Sequence, residues 1–242
     1  MVRAVLLDVG GTLWPDRPTP HPGIDPCLEP LARLLPGIDA AHALATLRER
    51  LRQEDGSLVQ DTHGLLARTL REFDLDPAEP DVAAVRRALC APAVPGVRLF
   101  PGAADFLAGC RQLGLRCVIV SNVQVRGATE YWRDFADLGV AVLVDAVVTS
   151  LDVGARKPHP RFFAAALREA GCQPAACVMV GNSEAGDIRP AVGLGMRAIR
   201  VALEEPPPAL SAAHAVSTRL AEVLGWVRRW VAADEGRPEA TD

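Results

Sequence analysis

Apolar runs recur along the chain at residues 2–7, 117–120, 146–148, 177–180 and 198–201. The first four stop abruptly, at Asp8, at Ser121-Asn122, at Thr149-Ser150 and at Gly181-Asn182. Runs that do not alternate with polar positions predict strands buried on both faces. Between them the apolar spacing becomes helical. Phe106, Leu107, Cys110 and Leu113 share one helical face before Gly114, and Pro160 opens a segment carrying Phe162, Phe163, Ala166 and Leu167 before Gly171. Proline suits a first helical turn, and glycine suits the position after the last. Strand–helix alternation with short connections predicts an α/β architecture, a Rossmann-like parallel sheet covered by helices. Ligands of such sheets bind beyond the carboxyl ends of the strands. Asp8, Ser121 and Gly181-Asn182 stand at such ends.

Residues 15–97 follow a different rule. Leu44, Leu47 and Leu51 make one helical stripe, Leu58, Leu65, Leu66 and Phe73 a second, and Val82, Val85 and Leu89 a third. No strand-like run interrupts them. Proline-rich stretches, PDRPTPHPGIDP and APAVPGVRLFPG, bracket the block and read as hinges. The predicted organisation is a core of residues 1–14 and 98–242 with an all-helical insert over 15–97. A last helix carries Leu220, Val223, Leu224, Val227 and Trp230 on one side.

Charge adds little about partners. The net charge is −4, with 26 basic and 30 acidic residues; the insert holds 9 basic and 13 acidic, and the remainder is balanced at 17 of each. No basic stripe points to nucleic acid, and no apolar stretch approaches the ~20 residues of a bilayer span. The N-terminus lacks a secretory pattern, so a cytoplasmic protein, monomer or homodimer, is expected. Six cysteines without CxxC or histidine pairing read as free thiols rather than a zinc site. One count is unusual: 25 of the basic residues are arginine, and Lys157 is the single lysine. An ammonium is a compact point charge where guanidinium is a planar fork, so Lys157 is a site candidate.

Four motifs in order resemble the haloacid dehalogenase-like hydrolases, whose members are mostly magnesium-dependent phosphatases. LLDVGGTLW is similar to the family's nucleophile loop, with Asp8 as nucleophile. VIVSN places Ser121 at the phosphate-binding serine. GARKPHPRFF places Lys157 at the family lysine, and VMVGNSEAGDI is similar to the acidic metal loop. The helical insert falls where many members carry a cap. The resemblance implies catalysis by Asp8 and Lys157 and substrate binding by Gly11, Thr12, Ser121, Asn122 and Lys157. It implies Mg²⁺ held by Asp8, the Gly10 carbonyl, Asn182 and Asp187, and a small phosphorylated substrate. The chemistry agrees: a carboxylate attacks an anionic phosphoryl group only where cations and N–H groups neutralise charge around it.

Two positions depart from the family pattern. Gly10 stands where the family's proton-transferring aspartate is expected, and Asn182 stands where an acidic metal ligand is expected. Loss of general acid–base help removes ~10²–10⁴-fold in rate, so activated acyl and aryl phosphates should be favoured unless another group supplies the proton. His21, Asp16 and His63 are the candidates for that role, and Glu184 is the candidate to restore metal-loop charge. Rival readings are a degenerate member that binds a phosphorylated ligand or partner without turnover, and an actin-like sugar kinase, whose phosphate loop can also read Asp-x-Gly-Gly-Thr. A dehalogenase is disfavoured, because such members carry an aromatic hydroxyl at position 10 and the only tyrosine here is Tyr131.

Overall fold

Alternate residues of the first strand serve two different cores. In the computed structural model, which describes residues 1–16, 25–54, 56–76, 81–90 and 97–236, β1 (Ala4–Leu7) is wholly buried. Val5 and Leu7 join one apolar cluster, and Ala4 and Leu6 join the other. That split is the period-2 geometry of a strand covered on both faces. It extends across β2 (Arg116–Ser121), β3 (Ala146–Thr149), β4 (Cys177–Gly181), β5 (Arg197–Val201) and β6 (Ala215–Ser217). All six pair in parallel, in the order β3-β2-β1-β4-β5-β6. The five expected strands are present; β6 was not anticipated.

Among the described residues, four helices fall in the insert: α1 (Leu28–Leu34), α2 (Ala40–Gln53), α3 (Thr62–Arg71) and α4 (Val82–Leu89). Six follow: α5 (Ala103–Gln112), α6 (Ala128–Asp137), α7 (Ser150–Val153), α8 (Pro160–Ala170), α9 (Arg189–Gly193) and α10 (Leu220–Glu235). Residues of α5, α6 and α10 cover the Val5–Leu7 face of the sheet, and residues of α8 and α9 cover the other. The register sets the central strand ends level, because Leu7 lies beside both Ile119 and Val180. Asp8 follows immediately, its N–H donating to Val180 O at 2.9 Å.

The insert helices pack into a third apolar cluster of their own, centred on Leu31, Leu47, Leu66 and Val85. Three of them start on aspartate caps: Asp39, Asp61 and Asp81 accept from the N–H groups of His42, Gly64 and Ala83 at 2.7, 2.9 and 2.9 Å. Such caps stabilise a helix start by ~1 kcal/mol and account for part of the insert's acidity. One expectation fails in detail. Leu58 is not on the α3 stripe; it is exposed and precedes the helix. Its segment instead pairs with the core, Val59 opposite Ala155, with Gln60 N donating to Gly154 O at 3.1 Å and Arg156 N to Leu58 O at 2.9 Å. Residues 17–24 of the first proline-rich hinge and 91–96 of the second lie outside the described residues.

Candidate active site

Lys157 is the hinge of the site. Fully enclosed between β2 and α8, its Nζ donates to Asp8 Oδ1 at 2.7 Å, to Asp187 Oδ1 at 2.7 Å and to Val120 O at 3.0 Å. An ammonium has three N–H donors, and all three are used. Burial works against its charge, but the carboxylates of Asp187 and Asp8 outweigh burial and hold the ammonium above its ordinary range. Asp187 is also buried. Desolvation pushes its carboxyl up, Lys157 pulls it down, and the nearby Asp8 adds to the push.

Asp187 sits in a π-helical turn, Glu184–Ile188, directly after β4. Its Oδ2 accepts from Ser183 N at 3.0 Å. Position 181 must be glycine for this arrangement, since a Cβ there would lie 2.5 Å from Asp187 Oδ2. The turn is capped by Ser183, whose Oγ accepts from Gly186 N at 2.9 Å. At the end of β2, Ser121 Oγ pairs with the Tyr131 hydroxyl at 3.0 Å. Burial pushes the Tyr131 phenol up to about 12, although the Ser121 bond pulls the other way. Asn122 uses its amide on the Lys157 backbone, accepting from Lys157 N at 2.7 Å and donating to Lys157 O at 3.0 Å.

The loop after β1 is tightly self-bonded. Gly11 takes a φ of +67°, which glycine adopts without strain. Its N–H donates to Trp14 O at 2.8 Å, and Thr12 N donates to Val9 O at 3.1 Å. These two amides serve the turn, so the substrate binding that the resemblance implies for Gly11 and Thr12 does not use their N–H groups in this structure. Thr12 is buried with its Oγ1 3.4 Å from Asp8 Oδ2. Asn182 packs against this loop, its Nδ2 2.1 Å from where a Cβ on Gly11 would be.

Asp8, Gly10, Ser121, Asn122, Lys157, Asn182 and Asp187 thus border one cavity of about 520 Å³ at the carboxyl ends of the strands; Gly11 and Thr12 belong to the same loop. Trp14, Asp16 and Tyr131 also line it. Trp14 and Tyr131 stack at 5.7 Å between ring centroids. Tyr131 lies 10 residues from its partner Ser121, so no local spacing announced it as part of the site. Glu184 turns elsewhere, bonding Arg200, Ser211 and Ala212 N at 3.1, 2.6 and 2.9 Å. It cannot restore the charge missing at Asn182. His63 is exposed on α3 and does not line the cavity. His21 lies outside the described residues.

The donors available to a cation are hard oxygens: the Asp8 carboxylate, the Gly10 carbonyl and the Asn182 amide, while Asp187, expected as a direct ligand, already accepts from Lys157 Nζ and Ser183 N. No cluster of three His, Cys, Asp or Glu side chains gathers among the described residues. Such a sparse set suits magnesium, which binds through one or two carboxylates and completes its shell with water and substrate phosphate. The residues fit that ion.

The insert leans on the same loops. Gln60 Nε2 donates to Val123 O at 2.9 Å and Gln124 O at 3.1 Å, Thr62 Oγ1 to Gln124 O at 3.0 Å, and Arg86 to Val125 O at 2.6 Å. None of the described helices is long and apolar enough to cross a membrane.

Comparison with known proteins agrees with the fold. A glyceraldehyde 3-phosphate phosphatase of Methanothermobacter thermautotrophicus is 41% identical over 106 residues, 43% of this chain and 45% of that protein. The match therefore spans less than half of that relative's length. A second protein of that name, from Methanopyrus kandleri, is 28% identical over 204 residues, covering 83% of this chain and 84% of the relative. Among solved structures, a 2-haloacid dehalogenase of Pseudomonas syringae pv. Tomato superposes with a TM-score of 0.67 at 21% identity, over 95% of this chain and all of that one, a likeness of fold. The family model for haloacid dehalogenase-like hydrolases matches residues 2–195, and the chain belongs to that family.

Proposed function

We propose that the protein is a magnesium-dependent phosphatase of small phosphorylated metabolites, acting through an aspartyl-phosphate on Asp8. The observation that carries this reading is the buried Lys157 ammonium bridging Asp8 and Asp187 at level strand ends. One Asp8 oxygen is tied to Lys157, which fixes the carboxylate and offsets its charge as an anionic substrate approaches. The other would attack phosphorus, splitting one difficult displacement into two. Ser121, poised by Tyr131, would hydrogen-bond a phosphoryl oxygen. Asn122 would act by holding the lysine loop in place. Asp8, the Gly10 carbonyl and Asn182 would hold the ion, with Asp187 fixing its surroundings. When bound, magnesium supplies neutralisation of the phosphoryl oxygens.

In this reading residues 1–14 and 98–242 form the catalytic core, and the 15–97 helices cap it and select the substrate. The names of the two archaeal relatives make a triose phosphate a first substrate to test. The decisive experiment is a screen of phosphate esters and acyl phosphates with magnesium, comparing the wild type with Asp8→Asn. Turnover that depends on Asp8, with a phosphorylated peptide containing residue 8 found by mass spectrometry, is the expected result. Ligand binding without turnover or phosphorylation would make the protein a binding member of the family instead.

A further inference from the structure

Gly10 leaves a gap that a carboxylate from elsewhere fills. A Cβ built on Gly10 would sit 2.6 Å from Asp16 Oδ1. Within an aspartate, bond lengths put each carboxylate oxygen about 2.4 Å from its own Cβ. Asp16 thus holds an oxygen at nearly the distance from that point at which an aspartate at position 10 would hold its own. The local fold explains how. Gly10 and Trp14 form an isolated parallel bridge, so the chain makes a tight loop within five residues and runs on in the same direction, bringing Asp16 past Gly10. Asp16 N then donates to Glu204 Oε2 at 3.2 Å, which anchors the end of this loop to the segment after β5. The glycine and the displaced carboxylate are complementary: a side chain at position 10 would require the Asp16 carboxylate to move aside.

Asp16 is exposed at the mouth of the cavity that Asp8, Ser121 and Lys157 line. Of the other acid–base candidates raised by the sequence, His63 lies off the cavity and His21 lies outside the described residues. We propose that Asp16 performs the proton transfers that the residue at position 10 cannot, an inference that rests on the phosphatase reading above. As Asp8 attacks phosphorus and the bond to the ester oxygen breaks, the protonated Asp16 gives its proton to the departing alkoxide. In the second step the Asp16 carboxylate takes a proton from water as the water oxygen attacks phosphorus. The bond to Asp8 then breaks, and inorganic phosphate leaves. The cycle of two steps closes with Asp8 ionised and the proton back on Asp16. The consequence reverses the expectation drawn from Gly10 alone: ordinary alkyl phosphates are substrates.

The test compares the wild type, Asp16→Asn and Asp16→Ala on glycerol 3-phosphate and p-nitrophenyl phosphate, with magnesium, in steady state and in the first turnover. On glycerol 3-phosphate both variants should lose ~10²-fold or more, the usual scale of general acid–base help. On p-nitrophenyl phosphate, whose leaving group needs no proton, first-turnover release should fall by less than ~10-fold, with a burst and accumulation of phospho-Asp8. The transplanted pair Gly10→Asp/Asp16→Ala should recover at least ~10-fold of the alkyl activity. Alkyl turnover within about twofold of wild type in both variants overturns the assignment and leaves the phosphatase reading standing, and so does equal loss on both esters without a burst. A wild type that turns over neither ester and forms no phospho-Asp8 overturns the phosphatase reading and this inference with it.

Discussion

At the scale of single residues, Lys157 is the position where chemistry leaves least freedom. Its three donors meet three acceptors in a buried space, and a guanidinium cannot reproduce that pattern. Lys157→Arg should lower kcat by ~10²-fold or more although charge is kept. Lys157→Met should also lose stability, about 3–5 kcal/mol, because two buried carboxylates lose their partner. Steady-state kinetics and chemical denaturation check the two claims, and near-wild-type kcat in the arginine variant would show the lone lysine to be compositional chance. Asn182 gives a second residue-scale prediction. An acidic side chain there adds a charge to a donor set with one direct carboxylate, and cation affinity follows ligand charge. Asn182→Asp should bind magnesium about tenfold more tightly by calorimetry, with a larger magnesium-induced rise in Tm. Unchanged affinity would remove Asn182 from the cation site.

At the scale of elements, what was legible depended on what buries each segment. The five long strands announced themselves because both faces are covered, which forces unbroken apolar runs. β6 did not: it has three residues, and Val216 in its centre is exposed. Residues 57–60 could not be read because the partner that shapes them is the 154–156 backbone of the core, not their own side chains. Long-range ion pairs were likewise silent. Arg197 on β5 grips Asp234 on α10 in a two-pronged pair at 2.6 and 3.1 Å, tying the final helix to the sheet. The Arg197 hydrogen bond holds the Asp234 carboxyl below its ordinary value, against a smaller push from burial. Since the folded value is depressed, the stabilisation is present above the unfolded value near 4 and is lost as pH falls through the lower folded one. Asp234→Asn should therefore lower Tm by about 2–4 °C at pH 7, for a loss of about 1 kcal/mol. The gap to wild type should shrink below about pH 4. A gap independent of pH would assign the effect to packing rather than charge.

At the scale of the whole molecule, the site gathers residues that the sequence offered one motif at a time. Asp8, Ser121, Lys157 and Asp187 were legible because each follows or faces a strand end. In the sequence Asp16 is only one of three acid–base candidates, and Tyr131 does not stand out as part of the site, because it reaches the cavity from a helix face and stacks on Trp14. The attachment of the insert was equally hidden. Gln60, on the insert, donates to the carbonyls of Val123 and Gln124, directly after the Ser121-Asn122 pair. Its own backbone is bonded to Gly154, three residues before Lys157. One residue thus holds the insert to two of the loops that shape the cavity. If the insert closes the cavity over bound substrate, loosening this tether weakens substrate and transition state alike, which raises KM and leaves kcat nearly unchanged. Gln60→Ala removes the side-chain bonds and keeps the backbone one, a loss on the order of 1 kcal/mol. KM for the best phosphate ester should then rise about fivefold, with kcat within about twofold. A fall in kcat at constant KM would mean that the tether positions the catalytic loops instead. A lower Tm with unchanged kinetics would mean that the insert rests on the core without taking part in binding.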